Sequence, residues 1–350
     1  MTASSAAVRE VTAPGAGVVS VRDRVMGSEL LLIAVDPLDG QLRRALERLR
    51  ELEQRWSRFL ADSDVSRLNL AAGTPLDVAP ETLTLLATMV QAWRDTAGGY
   101  DPTVLPALVA AGGAASRHRP QHRTVLPATA VAGGDPSAIV LDALRRTATI
   151  PIGMAIDAGG IGKGLAADLI VLDLLAGGAA GALCSIGGDL SMAGRPPTPD
   201  GWRIAVERPA LDGGPDAVGG PGPGVLVTLS VSGGGVATSS VRSRRWQVGD
   251  EQRHHVIDPR TGHPSDTDLA AVTVFARSGW QAEAHATAAL LRGRDGALAH
   301  LHGHGLDGIA IDRDGRVLTT DALRHLDGLR PAPAPAGPTP QPEGSPWSPH

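Results

Sequence analysis

Residues Ile156 to Asp168 read Ile-Asp-Ala-Gly-Gly-Ile-Gly-Lys-Gly-Leu-Ala-Ala-Asp, a strand ending that passes through four glycines and one lysine into small helix-forming residues. The pattern predicts a strand before this segment and a helix after it. A glycine-rich loop opening a helix lets backbone N–H groups approach an anion, and the helix N-terminus adds about half a positive charge there. Lys163 would add a whole one. A second reading needs no ligand: the turn requires glycine for positive φ, and Lys163 is simply exposed. The segment departs from both common nucleotide fingerprints. Gly164, not Ser or Thr, follows Lys163, and the glycine spacing is not Gly-x-Gly-x-x-Gly.

The 350 residues, 42% hydrophobic and 20% charged, suffice for one large core or two modest ones. A net charge of -5 with interleaved signs argues against nucleic acid or an anionic membrane surface as the main partner. Aromatic residues are only 3% and Tyr100 is the sole tyrosine, so an aromatic ligand must be held by aliphatic side chains, methionine and backbone. The single cysteine, Cys184, lies in the apolar run Ala182 to Ile186 and reads as a small core hydrophobe. Residues 1–17 lack a basic start followed by a continuous apolar stretch, and no later run is long and apolar enough to span a bilayer. The expectation is a cytoplasmic protein.

Three segments organise the chain: a disordered tail over 1–17, one body over 18–329, and a proline-rich disordered tail over 330–350. Gly17 to Asp36 predicts two strands around Met26-Gly27-Ser28. Leu42, Ala45, Leu46, Leu49 and Leu52 have helical spacing within Asp39 to Leu60. A second helix is predicted from Pro80 to Thr96, ended by Gly98-Gly99, with Tyr100-Asp101-Pro102-Thr103 as a turn. Residues 112–135 and 210–224 predict irregular loops. Further expectations are strands at 138–150, 181–190, 202–207, 225–231, 253–257 and 271–276, helices at 166–175 and 281–291, and a hairpin at 308–319 around Asp314-Gly315. Irregular mixing of strands and helices favours an α+β or mixed sheet over strict βαβ winding.

Several motifs can carry chemistry. In His254-His255-Val256-Ile257-Asp258-Pro259-Arg260-Thr261-Gly262, strand alternation lets only one histidine face a given pocket. If Ile257 packs inward, His255 shares its face. A histidine fixed there suits a general base, and a satisfied structural histidine is the plainer reading. Glu283 and Thr287, four apart on one helical face, offer a carboxylate and a hydroxyl to Mg2+, or form a polar helix edge with Thr287 bonding back to the preceding turn. Ser185-Ile186-Gly187-Gly188-Asp189 ends a strand in two glycines, which allow close backbone approach to a ligand, and a carboxylate. Thr238-Ser239-Ser240 with Arg242, Arg244 and Arg245 suits phosphate oxygens, or forms a solvated basic edge.

In this order the motifs resemble the ApbE-type FAD:protein FMN transferases over roughly Arg22 to Asp327. Met26-Gly27-Ser28 is similar to the family's Met-Gly-Thr. Ser63 to Asn69 resembles its Ser-x-x-Ser-x-x-Asn, Tyr100 to Thr103 its aromatic-Asp-Pro-Thr, and Asp157 to Gly164 its Asp-Leu-Gly-Gly-Ile-Ala-Lys-Gly. Ile186 to Asp189 resembles the Gly-Gly-Asp strand, Thr238-Ser239 the Thr-Ser loop, and His255 to Gly262 His-Ile-x-Asp-Pro-x-Thr-Gly. The resemblance implies a single T-fold-like α+β catalytic body with mixed, largely antiparallel sheets flanked by helices. It implies Mg2+-dependent transfer of FMN from FAD to a threonine of an acceptor flavoprotein, with release of AMP.

By the same resemblance, His255 takes the acceptor proton and Lys163 assists at the pyrophosphate. FAD contacts fall to Met26, Gly27, Ser28, Tyr100, Asp101, Thr103, Asp157, Gly160, Lys163, Gly188, Asp189, Thr238, Ser239 and His255. Mg2+ falls to Glu283, Thr287 and the carbonyl of Gly162. The same site would also serve a FAD pyrophosphatase giving FMN and AMP, or a non-catalytic flavin-binding protein. Three departures from the family pattern stand out: Glu283 where it usually has Asp, Gly162 for its Ala, and Ser240-Val241-Arg242 after the Thr-Ser pair.

Overall fold

The computed structural model describes residues 9–12, 17–71, 73–117, 119–209 and 224–324. Its frame is a nine-stranded sheet: β1 (Arg9–Thr12), β2 (Val18–Val25), β3 (Ser28–Val35), β4 (Gly181–Ile186), β5 (Asp189–Gly194), β6 (Gly234–Ser240), β7 (Leu269–Ala276), β8 (Asp307–Asp312) and β9 (Val317–Thr319). Each strand pairs antiparallel with the next in chain order. The chain leaves this meander in four excursions, and these carry the helices and the site loops.

The excursion after β3 contains α1 (Gln41–Trp56), α2 (Asp64–Leu70), α3 (Pro80–Asp95), the single turn α4 (Leu105–Leu108) and α5 (Gly162–Ala176). The one after β7 contains α6 (Gly279–Leu291) and α7 (Gly293–Gly303). Period-two alternation assigns the two faces of the sheet. Leu30, Leu32, Ala182, Cys184 and Ile186 face α1, α3 and α5, whereas Ile33, Val35 and Leu183 face a ribbon formed by Trp202–Arg208 and Gly224–Val231. Likewise Ala310 faces α6 and α7, while Ile309 and Ile311 face the ribbon. All five apolar positions expected on α1 are buried, with Leu49 and Leu52 fully enclosed. Full burial of such a side chain stabilises by about 1.5–3 kcal/mol.

The largely antiparallel α+β expectation holds, with corrections inside it. Arg9–Thr12, placed in a disordered tail, pairs along β2, where the edge strand supplies partners for its backbone groups. The strand expected over 181–190 is two strands, because Gly187 (φ 63) and Gly188 (φ 93) form a two-residue turn with both residues left-handed. The strand expected over 253–257 breaks between Glu251–His254 and Ile257–Asp258. β6 and α7 were not anticipated. Glycine and hydroxyl residues dilute the strand pattern of β6, and three glycines blur the helical pattern of α7. Residues 112–135 are mostly irregular, apart from the end of a π turn and an Ala115–Arg123 bridge. Expectations for 1–8, 13–16, 210–223 and 325–350 fall outside the described residues.

Cys184 is a buried free thiol, and burial raises its pKa, as suits a core position. Among the described residues no helix is long and apolar enough to cross a membrane.

Candidate functional site

Two tight hairpin tips lie side by side at one edge of the site. Met26 (φ 51) and Gly27 (φ 67) close β2 onto β3, and Gly187-Gly188 close β4 onto β5. They interlock: the Gly187 N–H donates to Glu29 O at 2.8 Å, and a Cβ on Gly187 would fall 2.8 Å from the Ser28 side chain. Around a Cβ position on Gly188, by contrast, there is open space.

The loop into α5 is anchored from both ends. Asn69 clamps Ile156 with its whole amide, donating to Ile156 O at 2.9 Å and accepting the Ile156 N–H at 2.8 Å. Ser63 caps the N-terminus of α2 and so fixes the helix that carries Asn69. Asp101 accepts from both the N–H and the hydroxyl of Thr103 at 2.7 Å, and the intervening Pro102 O accepts the Asp157 N–H at 3.0 Å. Asp101 and Thr103 thus shape the loop through each other. Asp157 itself pairs with Arg58 at 3.2 Å. Sequence reasoning missed Arg58; it follows α1 with no local signal, and only the fold carries it to Asp157.

At Gly160 (φ 79) the backbone passes beneath two side chains, since a Cβ there would lie 3.2 Å from the Tyr100 ring and 3.7 Å from Thr287 Oγ1. Tyr100 is buried, and its Oη has no hydrogen-bond partner among the described residues. Burial, followed by the charges of Glu283, Asp157 and Asp101, pushes its pKa upward.

Lys163, on the first turn of α5, reaches two buried carboxylates: Asp189 at the start of β5 and Glu283 on α6 at 3.3 Å. Glu283 Oε2 also accepts the Gly164 N–H at 2.8 Å, and Asp189 Oδ1 accepts the Thr238 N–H at 3.3 Å. Glu283 thus reaches the opening of α5. Burial lowers the Lys163 pKa, opposed by Glu283, and the nearby Arg244 charge lowers it further. Beside this cluster the Ser239 and Thr287 hydroxyls meet at 2.8 Å. Thr238 instead bonds Thr273 across the β6–β7 pair at 2.8 Å.

The α5 and α6 N-termini cap one another. Asp168 of α5 accepts the N–H groups of Gly279 (2.7 Å) and Trp280 (3.0 Å), while Glu283 of α6 accepts from Gly164. Such caps satisfy orphan donors at both helix starts. Asp168 gave no signal in the sequence, because its partners lie 111 and 112 residues away.

The histidine pair divides its labour. His254 uses both ring nitrogens on backbone, with Nδ1 accepting the Val256 N–H at 3.3 Å and Nε2 meeting Ser265 O at 3.0 Å. That bond requires the proton on Nε2. His255 is held by its own N–H to Arg244 O at 3.2 Å, and its Nδ1 is enclosed without a partner among the described residues. Burial, with the charges of Arg244, His254 and Lys163, lowers the His255 pKa to about 3, so the ring is neutral. The following turn is closed by Asp258, whose carboxylate pairs with Arg260 at 2.8 Å and whose carbonyl accepts the Gly262 N–H at 2.8 Å.

The structure thus gathers Gly160, Lys163, Asp189, Ser239, Glu283 and Thr287 from four separate segments. The family model for the ApbE family matches residues 26–310. The chain belongs to the ApbE family. Among ApbE relatives it is 26% identical over 298 residues to the FAD:protein FMN transferase of Haemophilus influenzae, covering 80% of this chain and 82% of that one. It is 34% identical over 180 residues to the one from Treponema pallidum, covering 50% and 49%. The fold matches the apo flavinyl transferase ApbE of Pseudomonas stutzeri with a TM-score of 0.71 at 26% identity, covering 89% of this chain and 97% of that one. The ApbE protein of Thermotoga maritima matches with a TM-score of 0.74 at 22% identity, covering 88% and 98%.

Proposed function

We propose that this protein is a transferase that moves FMN from FAD onto a threonine hydroxyl of an acceptor flavoprotein, with Mg2+, and releases AMP. The observation that carries this reading is the convergence of Lys163, Asp189, Glu283 and the Gly164 N–H on one buried point at a helix N-terminus. Membership of the ApbE family supports the flavin and the protein acceptor.

The donor chemistry fits Mg2+. Glu283 and Thr287, with the carbonyl of Gly162, are oxygen ligands only, as a hard cation prefers. Two buried carboxylates stand against the Lys163 ammonium, with the Arg244 charge nearby. Gly162 opens α5, and a carbonyl in the helical ladder keeps a second lone pair. When bound there, Mg2+ neutralises charge on the pyrophosphate oxygens. The chain's own residues do the rest. Lys163 adds a positive charge beside the leaving phosphate, and the positive N-terminus of α5 faces the same anion. The open space at Gly188 leaves room for close backbone approach of the flavin half.

The bond formed joins the threonine oxygen to the phosphorus of the FMN half. The bond broken is the pyrophosphate bridge, whose oxygen leaves with AMP. The hydroxyl proton passes to the imidazole of His255, which burial and then its cationic neighbours hold neutral, with a lone pair for the proton.

Incubation with FAD, Mg2+ and a threonine-bearing flavoprotein acceptor is expected to give a covalently fluorescent acceptor and stoichiometric AMP, both lost with EDTA. Glu283→Ala should lose the Mg2+-dependent turnover by about 10³-fold, as removal of a charge-stabilising group does. FMN released equally fast without acceptor would establish hydrolysis instead, and FAD surviving intact would exclude catalysis.

The pH dependence follows from the sign of the His255 shift. A base whose pKa lies near 3 is active above that value and is lost only as pH falls through it. Since kcat/KM reports the free enzyme, its pH profile between 5 and 8 should show no ionisation near 6.5. An acidic limb at 6.5 that vanishes in His255→Gln would contradict this.

A further inference from the structure

On the side of α6 away from Glu283 and Thr287 lies a cluster that the transfer reaction does not use. Glu283 and Thr287 are one turn apart on one face, and His285, between them in sequence, projects from the opposite face. There it meets His300 and His304, themselves one turn apart at the end of α7. Ring centroids are 5.1 Å apart for His285 and His300, 4.8 Å for His285 and His304, and 4.5 Å for His300 and His304. One ligand atom from each histidine lies within 4.8 Å of the others, and among the described residues this is the one group of three or more His, Cys, Asp or Glu side chains so arranged.

The hydrogen bonding suits metal ligation. His285 Nδ1 and His300 Nε2 face each other at 3.0 Å, so one of them presents a lone pair into the cluster. His304 has a carbonyl at each ring nitrogen: His300 O at 2.8 Å from Nδ1 and Asp95 O at 2.8 Å from Nε2. A neutral imidazole has a single N–H and can satisfy only one of them. On ligation one of these nitrogens would exchange its carbonyl for the ion, while the other keeps donating its N–H to the remaining carbonyl, the usual second partner of a ligating histidine.

We propose that His285, His300 and His304 bind one Zn2+ ion, with a fourth position open to solvent beside the exposed His304, and that the ion fastens α6 to α7 behind the face carrying Glu283 and Thr287. Imidazole ligands select a borderline transition metal and not Mg2+, so the two sites have separate ion preferences. Three ligands at about 2.0–2.1 Å from a tetrahedral ion stand about 3.4 Å apart, which modest side-chain rotations of these rings can reach. Three protein ligands and an open position make an exchangeable site rather than a closed one.

The test needs neither FAD nor acceptor, so its outcome is separate from that of the transfer reaction. Chelator-stripped full-length protein in millimolar Mg2+ is titrated with Zn2+ against a chromophoric chelator. One equivalent of Zn2+ is expected to bind, with a rise in Tm, and about 100-fold weaker binding is expected in both His304→Ala and His300→Asn. Glu283→Gln should keep its Zn2+. Co2+ should give the intense visible bands of a four-coordinate ion in the wild type and not in His304→Ala. His304 is exposed, so that variant tests ligation without disturbing the core. Absence of Zn2+ binding, equal Zn2+ uptake by wild type and His304→Ala, or loss of Zn2+ in Glu283→Gln would overturn the proposal.

Discussion

Replacing His255 with alanine is expected to lower FMN transfer by about 10²–10⁴-fold, the usual contribution of a positioned base, while FAD affinity stays within about twofold. His255 hangs from Arg244 O by its own backbone N–H, and its Nδ1 is enclosed and unpartnered among the described residues. Removing the ring leaves the backbone bond to Arg244 O in place and takes away the proton acceptor. The neighbouring His254 cannot substitute, since its Nδ1 already accepts the Val256 N–H and its Nε2 meets Ser265 O. The two variants should separate cleanly. His255→Ala should keep the wild-type Tm and lose kcat, whereas His254→Ala should lower Tm by releasing the turn. Single-turnover kinetics with fluorescent detection of the acceptor checks the first, and unchanged transfer in His255→Ala would remove the residue from the mechanism.

The second large effect is structural. Gly164→Ala should destabilise the protein by about 3 kcal/mol or more, at the upper end of overpacking costs, with a fall in Tm of roughly 6 °C. A Cβ at Gly164 would overlap the carbonyl carbon and oxygen of Gly279 and lie 2.7 Å from the Trp280 nitrogen. These are backbone atoms pinned by Asp168, so they cannot move aside as a flexible side chain would. Any relief pushes α5 from α6 and pulls the Gly164 N–H off Glu283, so transfer should fall with stability. Two residues earlier the outcome differs. Gly162 has a Cβ position 3.1 Å from only the Ala158 Cβ and no positive φ, and it lies at a helix start. Gly162→Ala should stay within about 1 kcal/mol of wild type, because the gain from restricting the unfolded chain offsets a small adjustment. Thermal denaturation of both variants side by side is the measurement, and equal Tm values would refute the argument.

Much of the frame was legible along the chain. The Met26-Gly27 turn, the apolar stripe of α1, the glycine loop that opens α5 and the Asp314-Gly315 hairpin each have a local signature of period two, period 3.6 or turn chemistry, whereas the strand expected before Asp157 is absent, residues 154–158 being irregular and held by Asn69 and Pro102. β6 lacked one, because Gly234 and Gly235 serve a close approach: a Cβ on Gly235 would overlap the Ser278 and Gly279 backbone. That glycine makes room for the start of α6, a requirement set by another part of the chain.

The sequence alone therefore determined the residue types at the site, the antiparallel α+β class and the family, since motif order and local periodicity are written in consecutive residues. Tertiary structure decided their partnerships. Lys163 is shared between Asp189 and Glu283, α5 and α6 cap each other across 111 to 119 residues, the ring of His254 is tied to backbone on both sides, and three histidines met behind the face of α6 that carries Glu283 and Thr287. The physical reason is that hydrogen bonds and charge pairs act over a few ångströms of space. Residues a hundred positions apart carry no mark of such a contact until the antiparallel sheet brings their strands and helices together.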